Sequence, residues 1–161
     1  MVVLQSSDEK NFTVEKDILM RSALLKNMLA DIEDSSDPIP LPQVDSTTLE
    51  KVIEYLEYHK DDPIPEEEEE EEDYTRPRPS DDIEPWDKDF IGKDLVLINH
   101  ILVAANYMDI KDLLDLAAKT VANMMKGKTT EQLREMFNIV NDFTPEEEEE
   151  IRKENAWAEE K

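Results

Sequence analysis

The stretch ILVAANYMDIKDLLDLAAKTVANMMKGK, residues 101–128, predicts two consecutive helices. A second helix is predicted to begin at the capping residue Asp109 and to end near Lys126. Gly127 then supplies the left-handed residue that often follows a helix. The first helix is predicted from apolar residues at helical spacing, Ile98, Ile101, Leu102 and Ala105.

The second of these helices, residues 110–125, carries two apolar stripes. One consists of Leu113, Ala117, Thr120 and Met124, and the other of Leu114, Ala118, Val121 and Met125. Together they cover more of the helix than a single core-facing side requires. Either the helix is the enclosed centre of a bundle, or one stripe packs inside while the other meets a partner helix. The pattern alone favours the enclosed helix.

Upstream, the sequence predicts a small sheet with helices. β-prone runs at 2–4 and 12–14 flank a polar stretch, which is typical of a hairpin. In PIPLPQV, residues 38–44, prolines alternate with apolar residues, so the missing amide donors fall on one side and the segment is predicted as an edge strand. Helices are predicted from Ile18, Leu24, Leu25, Met28 and Leu29, and, after the cap Asp45, from Leu49, Val52, Ile53 and Leu56.

Residues 59–84 have a different composition from both flanks. They contain the seven consecutive glutamates Glu66 to Glu72 and four prolines. Such a segment buries too little apolar surface to offset the entropy lost on ordering. We therefore predict a disordered acidic linker or loop here.

The C-terminal segment is predicted to be helical. Thr129 with Gln132, and Thr144 with Pro145 and Glu147, are typical helix starts with capping boxes. The last residues, 146–161, are polar apart from Ile151, Ala156, Trp157 and Ala158. The tryptophan either tucks onto the domain or anchors an interface. The sequence leaves open whether the segment is ordered in the free chain or orders only when a partner is bound.

Composition disfavours several classes of function. A net charge of −24 over 161 residues argues against binding nucleic acid or an anionic membrane. No apolar run is long enough to span a bilayer, and MVVLQSSDEK is not a signal peptide, so we expect a cytoplasmic and nuclear protein. With no cysteine, two histidines and two glycines, no enzyme, metal site, cofactor or small-molecule substrate is predicted.

Long segments of the chain resemble the Skp family, the adaptors of SCF (Skp, cullin, F-box) ubiquitin ligases. The resemblance is carried by residues 101–128 and by FNIVNDFTPEEEEEIRKENAW at 137–157. PIPLPQV, KVIEYLEYHKDDP and DDIEPWDKDF match upstream, in order. FIGKDLVLINHIL, residues 90–102, departs from the family's usual acidic and aromatic pattern.

The resemblance implies an α+β fold, a BTB/POZ-like domain with a small sheet packed with helices. The first part of this domain would be residues 1–58, and its helical remainder would be residues 85–126. The acidic linker, residues 59–84, would separate these two parts. F-box-binding helices would follow at 127–161. The implied function is an adaptor that bridges cullin to F-box substrate receptors for ubiquitin-dependent degradation. Asn106 and Tyr107 would bind the cullin N-terminal domain. The residues implied to bind F-box proteins are Leu114, Ala118, Val121, Met125, Phe137, Ile139 and Trp157.

Two other hypotheses are compatible with the sequence. One is a BTB-type scaffold that forms homodimers. The other is an acidic chaperone of basic proteins, because runs such as Glu66 to Glu72 attract cationic partners.

Overall fold

The computed structural model describes residues 1–31, 37–64 and 82–159. The chain divides into two units, Met1–Met124 and Met125–Lys161. The first unit contains the sheet and the buried core, and the second consists of helices.

The sheet of the first unit has three strands in the order β2-β1-β3. β1 (Val2–Ser6) and β2 (Asn11–Val14) pair antiparallel as the predicted hairpin. β3 (Ile39–Leu41) pairs parallel with β1 at the edge of the sheet, as predicted from its prolines. Pro40 lies opposite Gln5 and is exposed, so its missing amide donor costs the sheet no hydrogen bond.

Helices surround this sheet in the first unit. The capping prediction for Asp45 is confirmed, because its carboxylate accepts a 2.9 Å hydrogen bond from the Thr48 amide. The helix at Pro85 begins where the helical remainder was implied to start; its proline at the first helical position is a known start signal that was not singled out. The elements are a 3₁₀ helix (Asp17–Arg21), α1 (Ala23–Asp31), α2 (Ser46–Tyr58), α3 (Pro85–Ile91), α4 (Leu95–Met108) and α5 (Lys111–Met125).

The prediction that Asp109 caps the start of α5 is wrong. Asp109 instead ends α4 in the left-handed conformation, with φ 52°. Its amide donates back to the carbonyls of Ala105 and Asn106, and its own carbonyl accepts from the Ala23 amide at 3.1 Å. Aspartate tolerates this conformation better than most residues. The turn is this tight because the next residue, Ile110, is fully buried in the core.

The core lies between the sheet and the inner faces of the helices. α2 and α1 both pack against α4. This packing fixes which side of α4 faces outward. The largest fully buried side chains are Leu4, Leu19, Leu25, Leu41, Leu49, Leu56, Ile91, Ile98, Ile101, Met108, Ile110 and Leu113.

The predicted acidic linker lies mostly outside the described residues, including Glu66 to Glu72. Its first residues, however, form an ordered turn. The Arg21 guanidinium donates to the carbonyls of His59 at 2.7 Å and Asp62 at 2.8 Å. It also forms an ion pair with Asp112 at the start of α5. The predicted boundary at residue 59 therefore falls inside folded structure.

The second unit contains α6 (Thr130–Met136), α7 (Pro145–Glu154) and α8 (Ala156–Glu159). Both predicted capping boxes are present, at Thr129 with Gln132 and at Thr144 with Glu147. An ion pair of 2.9 Å between Arg134 and Glu148 joins α6 to α7. α6 and α7 have no buried residues, so local capping and ion pairing contribute much of their stability.

Candidate partner-binding surfaces

α5 is buried on one face only. The buried residues are Leu113, Leu116, Ala117 and Thr120. On the other stripe Leu114 and Val121 are half-buried against the edge of the core, Ala118 is exposed and Met125 is 40% exposed. The hypothesis of an enclosed helix is therefore wrong, and one stripe packs inside while the other stays open.

Polar contacts fix α5 in this orientation. The buried Thr120 hydroxyl donates to the Leu116 carbonyl at 2.8 Å, so its burial leaves no polar atom unsatisfied. At the helix start, Asp112 pairs with Arg21, whose side chain is only 6% exposed. Breaking such a buried pair leaves a desolvated charge, so rotation of the helix about its axis is opposed.

The second unit carries its own exposed apolar residues. Of the predicted F-box-binding residues, Phe137 is half-buried, Ile139 is 58% exposed and Trp157 is 77% exposed. Val140 and Phe143, which the sequence analysis did not single out, are 82% and 47% exposed. Their position among apolar residues between two capped helices could have identified Val140 and Phe143 from the sequence. Apolar exposure of this kind on one small unit is typical of an interaction surface.

The predicted cullin-binding residues lie at the end of α4. Asn106 is exposed and Tyr107 is half-buried against the core. Two further apolar residues of the same helix face outward, Val96 at 66% and Val103 at 46% exposure. The apolar periodicity of the sequence indicates the buried side of this helix, but it does not predict apolar residues on the exposed side.

A cluster around His59 holds α3 against α2. The imidazole Nδ1 lies 2.5 Å from an Asp62 carboxylate oxygen, and Nε2 lies 2.8 Å from one of Asp87. Trp86 stacks on Tyr58 with ring centroids 3.7 Å apart. Burial by itself lowers the pKa of His59, but hydrogen bonds to the two carboxylates outweigh it and raise the pKa above its usual value.

Two further ionisable groups have pKa values shifted by their structural surroundings. Among the described residues, no set of three or more histidine or acidic side chains is placed to hold a metal ion. Hydrogen bonds from Ser46 and Ser6 lower the pKa of Asp8. The hydrogen bond from the Ser46 hydroxyl to the Asp8 carboxylate fastens the hairpin turn to the start of α2. Burial raises the pKa of the Tyr55 phenol, which stays neutral. No helix among the described residues has the length and apolarity needed to cross a membrane.

Comparison with known proteins places this arrangement in a family. Two models of the Skp1 family match the chain, the tetramerisation domain at residues 1–61 and the dimerisation domain at 111–158. SCF ubiquitin ligase complex protein SKP1a of Dictyostelium discoideum is 52% identical over 161 residues, which is 100% of this chain and 97% of that protein. The chain belongs to the Skp1 family.

Fungal relatives show the same similarity over the full chain. The E3 ubiquitin ligase complex SCF subunit sconC of Arthroderma benhamiae is 50% identical, with 99% of this chain and 95% of that protein covered. Its counterpart in Talaromyces stipitatus is 51% identical, with 99% and 98% covered. The family and the BTB/POZ-like α+β fold predicted from the sequence are confirmed for this Skp1-family chain.

Proposed function

We propose that this Skp1-family chain is the adaptor of an SCF ubiquitin ligase complex, in which it bridges a cullin to an F-box protein. The observation that carries the proposal is the open stripe of α5, whose opposite face is buried in the core. The names of the relatives in Dictyostelium and in fungi, which are SCF complex subunits, support it.

The open stripe suits a helical partner. Ala118 is small and exposed, so a partner helix can approach α5 closely, and Met125 adapts its shape to irregular contacts. Trp157, at 77% exposure, is the kind of aromatic anchor that dominates interface energies. We assign Leu114, Ala118, Val121, Met125, Phe137, Ile139 and Trp157 to F-box binding.

The second surface is the end of α4, where we assign Asn106 and Tyr107 to cullin binding. This assignment rests on the resemblance of AANYMDI to the family motif and on the accessibility of both side chains. An adaptor with two separate surfaces holds a substrate receptor beside the rest of the ligase and so raises the effective concentration of the substrate. The adaptor itself needs no catalytic residue for this role.

The test is reconstitution with purified parts. The full chain is mixed with an F-box domain and a cullin N-terminal domain, and the mass of the complex is measured by size-exclusion chromatography with light scattering. We expect a ternary complex of one copy each. Failure of the chain to bind either protein would contradict the proposal.

A point variant makes this test specific for the stripe. Ala118→Asp is expected to weaken F-box binding by more than tenfold, because it places a carboxylate in an apolar contact. Ala30→Asp puts the same group at an exposed position of α1 and is the matched control. Equal affinity of the two variants for the F-box domain would show that the stripe is not the binding site.

A second candidate function is self-assembly as a scaffold. The two family models that match the chain are described as dimerisation and tetramerisation domains. Light scattering of the chain alone, over a range of concentrations, distinguishes this function from the first. A stable dimer that persists in the presence of an F-box domain and does not bind it would favour the scaffold.

A further inference from the structure

A cavity in the first unit lies between the end of α3 and the end of α5. Its volume is about 600 Å³, within the range of about 300–1,000 Å³ that is typical of small-molecule sites. The turn at Gly92 and Lys93 forms part of its wall, and so does Ile83, which precedes α3. None of its residues is assigned to F-box or cullin binding, so the proposed function does not account for it.

The walls of this cavity are well packed. Ile91 and Thr120 are 1% and 8% exposed, so the core fixes their positions. α3 is held against α2 by the rings of Phe90 and Tyr55, whose centroids are 5.6 Å apart. A site that exists before its ligand arrives loses little conformational entropy on binding.

One part of the wall is apolar and contains Ile83, Ile91 and Met124. Methionine adapts its shape to irregular ligands. The Thr120 hydroxyl gives its proton to the Leu116 carbonyl at 2.8 Å, so it has no proton left to donate to a ligand. This part of the cavity therefore suits an aliphatic or aromatic body.

The charged groups in the wall favour an anion. They are the ammonium groups of Lys88 and Lys93 and the carboxylate of Asp89, which sum to +1 in a chain whose net charge is −24. Among the residues that the structure describes, neither lysine has an ion-pair partner. The side-chain amide of Asn123 also lines the cavity and can donate a hydrogen bond.

We propose that this cavity binds a small amphiphilic carboxylate. The apolar body lies against Ile83, Ile91 and Met124, and the carboxylate accepts hydrogen bonds from Lys88 and Lys93. Size argues against a helical partner, because two turns of an α-helix about 10 Å across occupy about 850 Å³, more than the cavity holds. Charge argues against a cationic ligand, since the two ammonium groups repel it.

The experiment titrates decanoate, below the concentration at which it forms micelles, into the full chain labelled with ¹⁵N-glycine. The chain has two glycines, Gly92 in the cavity wall and Gly127 in the second unit, so the NMR spectrum contains a reporter and an internal control. Gly127→Asn leaves one signal and so assigns Gly92, because asparagine tolerates the φ of 72° at that position.

We expect a saturable shift of the Gly92 signal, with a dissociation constant of about 0.1–3 mM for a ligand of this size, and no shift of Gly127. The apolar body is tested by comparing hexanoate, octanoate and decanoate. Affinity should rise between about threefold and fifteenfold with every two methylenes, because each methylene that leaves water adds to binding.

The carboxylate is tested with the double variant Lys88→Gln with Lys93→Gln. It should weaken decanoate binding about threefold to tenfold at about 0.15 M salt, where distant carboxylates are screened. The matched control is Lys16→Gln with Lys26→Gln, which removes the same charge at exposed positions of the first unit outside the cavity. All four lysines are exposed, so neither double variant should lower the urea midpoint.

Four results would overturn the inference. They are no shift of Gly92 at decanoate concentrations well above this range, an affinity that does not depend on chain length, equal affinity of the two double variants, and binding of decylammonium at Gly92 as tight as that of decanoate. Each of them leaves the adaptor function standing, because the probes and variants involve no residue assigned to F-box or cullin binding.

Discussion

Replacing His59 with glutamine is expected to destabilise the protein more at pH 6 than at pH 9. The reason is the geometry of the imidazole, whose two nitrogens each face a carboxylate, Asp62 at 2.5 Å and Asp87 at 2.8 Å. Only the protonated ring can donate both hydrogen bonds, because neutral imidazole has a single N–H. Glutamine resembles the neutral ring, since it donates without carrying a charge.

The sign of the pH dependence follows from the direction of the shift. The pKa of His59 is raised in the folded protein above its usual value of about 6.5. The protonated ring therefore stabilises the fold fully below about pH 6.5, and this stabilisation is lost as the pH rises through the folded pKa. The raised pKa of the Tyr55 phenol keeps that neighbouring group neutral in the folded state across this range.

The burial of each partner sets the magnitude. The His59 and Asp87 side chains are 12% and 13% exposed, so a charge-assisted hydrogen bond between them contributes about 1.5–3 kcal/mol. Asp62 is 56% exposed, and its bond is worth about 0.2–1 kcal/mol because solvent screens it. Glutamine recovers about 1 kcal/mol through one neutral donor. We therefore expect a loss of about 1–3 kcal/mol in the free energy of unfolding at pH 6.

The assay is urea unfolding of both proteins between pH 6 and pH 9. Trp86, which stacks between Tyr58 and Phe90 beside His59, reports the transition by fluorescence when Trp157 is replaced by phenylalanine in every protein compared. The difference in unfolding free energy between wild type and His59→Gln should shrink as the pH rises. A difference that is constant or grows with pH would refute the reasoning.

The other histidine provides a control. His100 is exposed on α4, with a side chain 54% accessible and the Asp45 carboxylate 4.0 Å away. His100→Gln should change stability little at any pH, because exposed ion pairs contribute at most about 1 kcal/mol. The chain has only these two histidines, so NMR titration with the His100 variant as reference assigns the His59 signal.

Two further predictions concern the second unit. Trp157→Ala should weaken F-box binding at least tenfold in calorimetry. Because the side chain is 77% exposed, the unfolding midpoint should not change. Trp157→Phe should keep most of the affinity, and equal losses in the two variants would argue against an aromatic anchor. Thr144→Ala should cost about 1 kcal/mol by removing the capping box with Glu147 and should lower the helical circular dichroism signal, whereas Thr144→Ser should restore it. An unchanged signal in the alanine variant would show that α7 does not depend on its cap.

Features that depend on near neighbours in the chain were predictable from the sequence. The capping boxes at Thr129 and Thr144 each join residues three apart, and the cap Asp45 meets Thr48 in the same way. The edge strand at Ile39–Leu41 followed from the alternation of its prolines. These features are local because a backbone amide and the side chain that satisfies it lie within one turn.

Some predictions failed where contacts distant in the sequence decide the outcome. Aspartate often caps the start of a helix, but the burial of Ile110 and the hydrogen bond from the Ala23 amide make Asp109 a helix end. The predicted linker begins within an ordered turn because Arg21, far upstream, binds the carbonyls of His59 and Asp62.

The sequence by itself determined the family, the class of fold and the two apolar stripes of α5. Only the tertiary structure decided which stripe is buried and that the uncharged helix α4 keeps one side open. Periodicity specifies which residues share a side of a helix, but whether that side is buried depends on side chains elsewhere in the chain. Arg21 and Asp112, separated by 91 residues, fix the orientation of α5, and such a pairing becomes visible only once the chain has folded.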